Sequence, residues 1–387
     1  MHICILTPAY PEKGRVYHGV FVRYDAQGLA ERGFDVEVIA PRYPDDPSTR
    51  EDGRVKVHRF KWWAPRTFKP LVYMKKRDLW RLPSFLLGML RKTVEIAKRS
   101  DVLLAYWIVP SGFVATLAKL RRHKPVAVFG MGSDVYHLSA HRIYKHLVRY
   151  TLTHSDLCLL NYPYMREILH QRGFKAKFQV IPASVDAELF YPKKSPLKNR
   201  EDLKGKFVIL YVGNLSEEKG VPQILEAFRR FSSRHPEARL VLVGRGPLAK
   251  HASSIPGVIL EGAVEHHRIP DYMNAADVVY SGLGGVATLE SMACARPTIV
   301  LGYPYLKHIL RDGETCILVK VGDVNGLVDA LERLYTDENL RKRLGDAARK
   351  AALSYSVDQR LTELSSALRS LAQAAAEQGQ PPTSTFK

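Results

Sequence analysis

Gly282-Leu-Gly-Gly-Val-Ala-Thr-Leu-Glu290-Ser-Met-Ala-Cys-Ala-Arg-Pro297 decides how this chain folds. An apolar run, Ala276-Asp-Val-Val-Tyr280, precedes it and another, Thr298-Ile-Val-Leu301, follows. A β-rich segment, a glycine turn, a short helix with one acid and a second strand predict a βαβ unit. Small residues let the turn's backbone approach a ligand, and the helix opening near Ala287 aims its unpaired N–H groups at whatever sits there, which makes a seat for phosphate. Glu290 lies about one turn into that helix. Its carboxylate suits the hydroxyls of a sugar or ribose; the plainer alternative is an acid that only caps and solvates its helix.

Working outward, 387 residues with 46% hydrophobic and 25% charged side chains describe a soluble globular protein with room for two domains, each with its own core. No apolar run approaches the ~20 residues that span a bilayer. Met1 to Pro8 lacks the basic leader and long apolar core of a signal peptide, so a cytoplasmic location is expected, peripheral on the inner membrane face at most. Cys4, Cys158, Cys294 and Cys316 are scattered without a C-x-x-C pair and read as reduced packing residues. Against 39 Asp and Glu stand 58 Lys and Arg, a formal charge of +19 that favours nucleic acid, phosphorylated donors or an acidic membrane face.

His2-Ile-Cys-Ile-Leu6 predicts a buried strand, followed by a long turn-rich loop, a helix from near Gly19 to Arg32, and a second strand at Asp35–Ala40. Long loops at strand ends tend to carry function, so Gly19 is a candidate for close approach to a ligand or simply the glycine that starts its helix. From Phe60 to Arg99 the chain interleaves Trp, Tyr and Phe with Lys and Arg beside an apolar helical stretch. That combination suits an anionic membrane surface, or nucleic acid; equally, the apolar face packs into the core and the charges are solvated. Pro125–Phe129 is a strand ending in Gly130-Met-Gly-Ser-Asp134, and glycines with an acid at a strand's C-terminal end mark where open α/β sheets place ligands. Asp134 and the Gly132 backbone are the expected contacts, with a structural turn and helix N-cap as the alternative. His137 and His141 have no third ligand at a useful spacing, and no metal is expected.

Lys193 to Lys206 is charged, Pro-containing and aperiodic, and is expected to be a linker. A strong strand then runs to Gly213, followed by Asn214-Leu-Ser-Glu-Glu-Lys219-Gly220 and a helix. Lys219, between strand and helix, is placed to reinforce the helix dipole against phosphate, or is an ordinary surface lysine. Gly244-Arg-Gly246-Pro247-Leu-Ala249 fits G-x-G-x-x-A, a weak dinucleotide signal, with Glu261 or Glu265 as ribose acid; Pro247 and the short distance to those acids count against it.

Taken in order, these segments resemble the large retaining glycosyltransferase family 4. Leu289 to Pro297 resembles its "LEAMACGKP", Gly130 to Asp134 its "HGSD", Ile181 to Pro192 its "IPNGVDLELFYP", Gly213 to Gly220 its "VGRLxxEKG", Gly244 to Pro247 its "GDGP" and Val258 to Val264 its "FLGxV". The resemblance implies an α/β protein of the GT-B fold, two Rossmann-like doubly wound domains facing across a cleft. It implies an acceptor-binding domain at 1–192, a linker at 193–206 and a nucleotide-sugar domain at 207–356. A helix at about 357–373 would cross back to the first domain, and the small, polar segment 374–387 is expected to be disordered. Gly19, Met131 and Gly132 from the first domain, and Gly213, Gly244, Val264, Gly284, Gly285, Val286, Leu289 and Glu290 from the second, would line the donor. Lys219, Asn214 and Asp134 would stand at the reacting centre. The chain departs from the family at Gly282, where the first acid of an E-x7-E motif belongs, at Asn214 for arginine, at Met131 for histidine, and at Lys307 for glutamate.

The implied activity is transfer of a sugar from a UDP- or GDP-sugar to a glycan or lipid-linked acceptor with retention, in cell-surface polysaccharide, lipopolysaccharide or glycolipid synthesis. No D-x-D occurs, so neither metal nor other cofactor is expected, and nucleic acid is not expected as a partner. Residues 60–99 would meet an anionic membrane. Two rivals stand beside this: a weak or silent partner subunit, prompted by the departures, and an NAD-binding oxidoreductase, prompted by Gly244 to Ala249.

Overall fold

A computed structural model describes residues 1–12, 18–44, 46–64, 80–282, 285–302 and 310–378. Contacts divide them into two units, Met1–Pro182 with the segment from Arg360 onward, and Ala183–Gln359.

In the first unit β1 (His2–Leu6), α1 (Val20–Glu31), β2 (Asp35–Pro41), β3 (Thr49–Asp52), β4 (Val55–Phe60), α2 (Leu82–Ile96), β5 (Val102–Tyr106), α3 (Phe113–Arg122), β6 (Val126–Gly130), α4 (Tyr144–His154), β7 (Leu157–Leu160), α5 (Pro163–Gln171) and β8 (Phe178–Val180) follow in chain order. The sheet runs β3-β4-β2-β1-β5-β6-β7-β8, parallel except for the β3–β4 pair. β1, β5 and β6 are buried along their whole length, because helices cover both faces of a parallel sheet and leave no place for alternating polar residues. Strand order reverses between β1 and β5, which creates a crevice at their C-terminal ends.

The second unit holds β9 (Phe207–Val212), α6 (Val221–Ser232), β10 (Ala238–Val243), α7 (Ala249–Ala252), β11 (Val258–Gly262), α8 (Ile269–Ala275), β12 (Val278–Gly282), α9 (Val286–Ala293), β13 (Thr298–Leu301), β14 (Ile317–Val319), α10 (Val324–Thr336) and α11 (Glu338–Ala352). Its parallel sheet has the order β11-β10-β9-β12-β13-β14, and the reversal falls between β9 and β12. Phe228 and Phe231 of α6, with Leu327 and Leu331 of α10, close one face of the sheet.

The stretch 193–206 is no free linker: it is bound to the second unit. Ser195 donates to the Asp271 carbonyl, Lys193 and Lys198 pair with Asp271 and Asp277 at 2.8 Å, and Arg200 reaches Glu261 at 2.6 Å. Charge without apolar periodicity looks like solvated chain in sequence, but here Lys193, Lys198 and Arg200 each have a carboxylate to meet. The last helix, α12 (Val357–Gln378), continues past residue 373 into the segment expected to be disordered; 379–387 lie outside the described residues. Arg360 of α12 is buried in the first unit, where it grips both oxygens of Asp25 at 2.9 and 2.7 Å and donates to the carbonyls of Ile181 and Pro182.

Candidate functional site

At the reversal in the second sheet, the turns after β9 and β12 are locked together. Tyr280 donates its hydroxyl to the Gly220 carbonyl at 2.9 Å. A Cβ on Gly282 would fall 2.2 Å from the Lys219 carbonyl oxygen, and Gly282 has φ +56°, so only glycine fits. This contact seats the Lys219 backbone against the end of β12, the strand that leads into α9. Lys219 ends a 3-10 turn, Glu217–Lys219, and is half-buried; burial pushes its ammonium pKa down, and Glu218 offsets this in part. α9 starts at Gly285 (φ +116°) with no side-chain cap, leaving its first N–H groups for a ligand, and Val286 beside them is exposed. Gly284 and Lys307 lie outside the described residues.

Gly213 and Gly244 permit the neighbouring turns to touch backbone to backbone: a Cβ on Gly244 would lie 1.8 Å from the Gly213 carbonyl oxygen. The Leu215 N–H donates to the Arg245 carbonyl at 2.9 Å. These glycines serve turn packing, and α7 behind them has four residues, too short for the long helix of a dinucleotide fingerprint. Asn214 is exposed and its carbonyl accepts from Tyr211 at 2.8 Å; Val264, past the end of β11, is half-buried.

Glu290 is buried on α9, as is Leu289. Its Oε1 lies 2.6 Å from Nε2 of His266, in the 3-10 turn His266–Arg268. The Phe190 ring packs on the imidazole at 5.3 Å. Burial disfavours the imidazolium, but the hydrogen bond and charge of Glu290, with Asp186, outweigh it and hold the His266 pKa above its ordinary value. The sequence gives no spacing signal for this pair, since 24 residues separate its members.

In the first unit, Gly19 is the left-handed N-cap of α1, and a Cβ there would meet the Ala9 carbonyl oxygen at 2.1 Å. Gly132 is buried, with Met131 half-buried beside it, both at the C-terminal end of β6. Asp134 has a different task from the one expected. It is fully buried and its carboxylate accepts from the N–H groups of Ile108, Met131, Gly132 and Val135 at 2.7 to 3.0 Å. Burial pushes its pKa up while these donors pull it down. Both oxygens are thus committed to fixing the turn, and Asp134 is a structural anchor, not a group at the reacting centre.

Between Phe60 and Arg99 the described residues divide. Phe85, Met89 and Ile96 of α2 pack into the core, whereas Trp63, Trp80 and Leu87 are more than half exposed. The two indoles lie 5.5 Å apart, and the Arg81 guanidinium sits 4.7 Å over Trp80. Residues 65–79 fall outside the described residues. Among the described residues no cluster of three His, Cys, Asp or Glu is arranged to hold a metal, and no helix is long and apolar enough to cross a membrane.

Comparison with known proteins matches residues 194–351 to the family described as "Glycosyl transferases group 1" and residues 18–184 to the "Glycosyl transferase 4-like domain". An N-acetyl-alpha-D-glucosaminyl L-malate synthase of Bacillus anthracis is 22% identical over 369 residues, 91% of this chain and 92% of that one. The fold is similar to sucrose-phosphate synthase from Thermosynechococcus elongatus (TM-score 0.81, 20% identity, 96% of this chain and 99% of that one). It is similar too to Anabaena HepE in complex with UDP and glucose (TM-score 0.76, 16% identity, 96% of this chain and 100% of that one).

Proposed function

Since this chain belongs to the family 4 glycosyltransferases of the GT-B fold, we propose that it moves a sugar from a nucleoside diphosphate to an acceptor hydroxyl with retention of configuration. The observation that carries the proposal is the joined turns of β9 and β12: the backbone of a half-buried cation, Lys219, packs on Gly282 at the end of the strand that leads into the uncapped α9, and a buried acid, Glu290, lies one turn into that helix. In this reading the N–H groups at Gly285 and Val286 and the Lys219 ammonium take up charge on the departing diphosphate, as preorganised dipoles do most effectively in a partly dry site. Glu290 accepts hydrogen bonds from the ribose. That HepE is seen with UDP supports a uridine or similar nucleotide.

The first unit would hold the acceptor. Its charge and the exposed Trp63–Trp80 pair favour a lipid-linked acceptor at an anionic membrane, and so a part in cell-surface glycan or glycolipid synthesis. Gly282 and Asn214 keep the silent-subunit reading as the rival. The test is thermal stabilisation by UDP, GDP, ADP and NAD in wild type and Glu290→Ala, because a ligand of the native state raises the melting temperature by mass action. One nucleoside diphosphate is expected to raise it, with the shift lost in the variant. Stabilisation by NAD alone would overturn the proposal, and a flat response would transfer it to the rival.

A further inference from the structure

A buried carboxylate meant to receive ribose hydroxyls faces two difficulties. It must be held in one orientation, and its charge stands near an anionic diphosphate. In the second unit both are met by one side chain. His266 Nε2 lies 2.6 Å from Glu290 Oε1, engaging one oxygen and so fixing the plane in which the other is presented. Three-quarters of the His266 side chain is withdrawn from solvent, and 94% of that of Glu290, since their exposures are 24% and 6%. We infer that His266 is the positioning residue for Glu290, and that its protonation makes the pair neutral and so favours the anionic donor. The inference rests on the assignment of Glu290 to the ribose.

The groups around His266 bear on its titration. Glu290 on α9 and Asp186 from the segment before β9 both favour the proton. Glu265 and His267 on its own turn lie 3.5 Å from each other, and both are largely exposed. Arg268 follows on the same turn and is exposed. Next to Glu290, Cys294 has its thiol pKa pushed up to about 12 by burial, so it stays neutral across the working range. The His266 pKa stands above the ordinary value. Its proton is therefore fully present below the unfolded pKa and is lost as pH rises through the folded one. Above that point the pair carries a net negative charge beside the diphosphate, and donor affinity falls. A neutral imidazole with its proton on Nε2 still donates, so the fall is partial.

Calorimetric titration with UDP, and in parallel with GDP and ADP, tests this in wild type, His266→Gln, His266→Ala and Glu290→Gln from about pH 5.5 to about pH 8.5. The terminal phosphate of the nucleotide titrates equally in all four proteins, so the wild-type-minus-variant difference reports the side chain. Wild-type Kd is expected to rise about three- to tenfold more than that of His266→Gln across this range, because glutamine donates without titrating. His266→Ala, without a donor, is expected to bind more weakly than His266→Gln at every pH. Profiles of both His266 variants that parallel wild type, beside a weakened Glu290→Gln, would overturn the role of His266 while leaving the ribose assignment intact. Glu290→Gln binding as tightly as wild type would overturn the ribose assignment itself.

Discussion

Gly282 stands where the motif resemblance implies an acid, and the structure gives a local reason why this chain has none. Its φ of +56° lies in the left-handed region, and the Lys219 carbonyl leaves no room for a Cβ. Restoring the acid by Gly282→Glu would therefore force the β12 turn away from the β9 turn. The cost of backbone strain and overpacking together is about 2 kcal/mol or more, which lowers the melting temperature by about 4 °C or more in a unit of this size. Since the same contact positions Lys219, the variant is expected to lose sugar transfer as well as stability. Calorimetric unfolding beside a transfer assay checks both, and a Gly282→Glu protein that melts with wild type and turns over faster would show that the acid is accommodated. The absent acid is thus a matter of how two turns meet, which a count along the motif reveals only as a gap.

At the scale of elements, many strands and helices were legible in the sequence because their signals are local: apolar runs such as Phe207–Val212 bounded by glycine, and helix starts and stops at Gly19, Gly33 and Gly220, whereas β3 and β4, short and charged, drew no expectation. The switch-point turns followed from the same punctuation, and with them Lys219, Gly285 and Glu290. What escaped is what depends on partners far away in the chain. Asp134 at a strand end looks like a ligand group until the N–H groups of Ile108 and of its own turn are seen to occupy it. His266 gains its meaning from Glu290, and Lys193, Lys198 and Arg200 from Asp271, Asp277 and Glu261. The same holds for α12, whose attachment to the first unit includes a pair separated by 335 residues, Arg360 with Asp25. Arg360→Met would leave the Asp25 carboxylate buried with the Tyr106 hydroxyl, at 2.6 Å, as its remaining side-chain partner among the described residues. Breaking a buried pair in this way costs about 3–5 kcal/mol. Urea unfolding is expected to show that loss, with much of it recovered in the double variant Asp25→Asn, Arg360→Met; a single variant as stable as wild type would mean the pair contributes nothing to holding α12.

Over the whole molecule the positive charge is unevenly shared. Met1–Pro182 together with the segment from Arg360 onward carries 34 Lys and Arg against 17 Asp and Glu, leaving 24 against 22 for Ala183–Gln359. The unit holding Lys219 and Glu290 is nearly neutral, so under the proposed function a long-range field is not what would attract an anionic donor; local dipoles and Lys219 would do that. The field belongs to the unit that presents Trp63, Trp80 and Leu87 to solvent. Cations near an anionic bilayer contribute about 1 kcal/mol each, and this falls off within the Debye length of about 10 Å at 0.1 M salt, whereas indole burial at the interface is insensitive to salt. The two contributions therefore separate experimentally. Sedimentation with phosphatidylglycerol vesicles is expected to retain the protein at about 50 mM salt and release most of it at about 500 mM. Trp63→Ala with Trp80→Ala should weaken binding at both salts and leave the salt dependence unchanged. Equal binding to neutral phosphatidylcholine, or none to phosphatidylglycerol at low salt, would sink the membrane assignment and leave the charge to serve a soluble anionic acceptor.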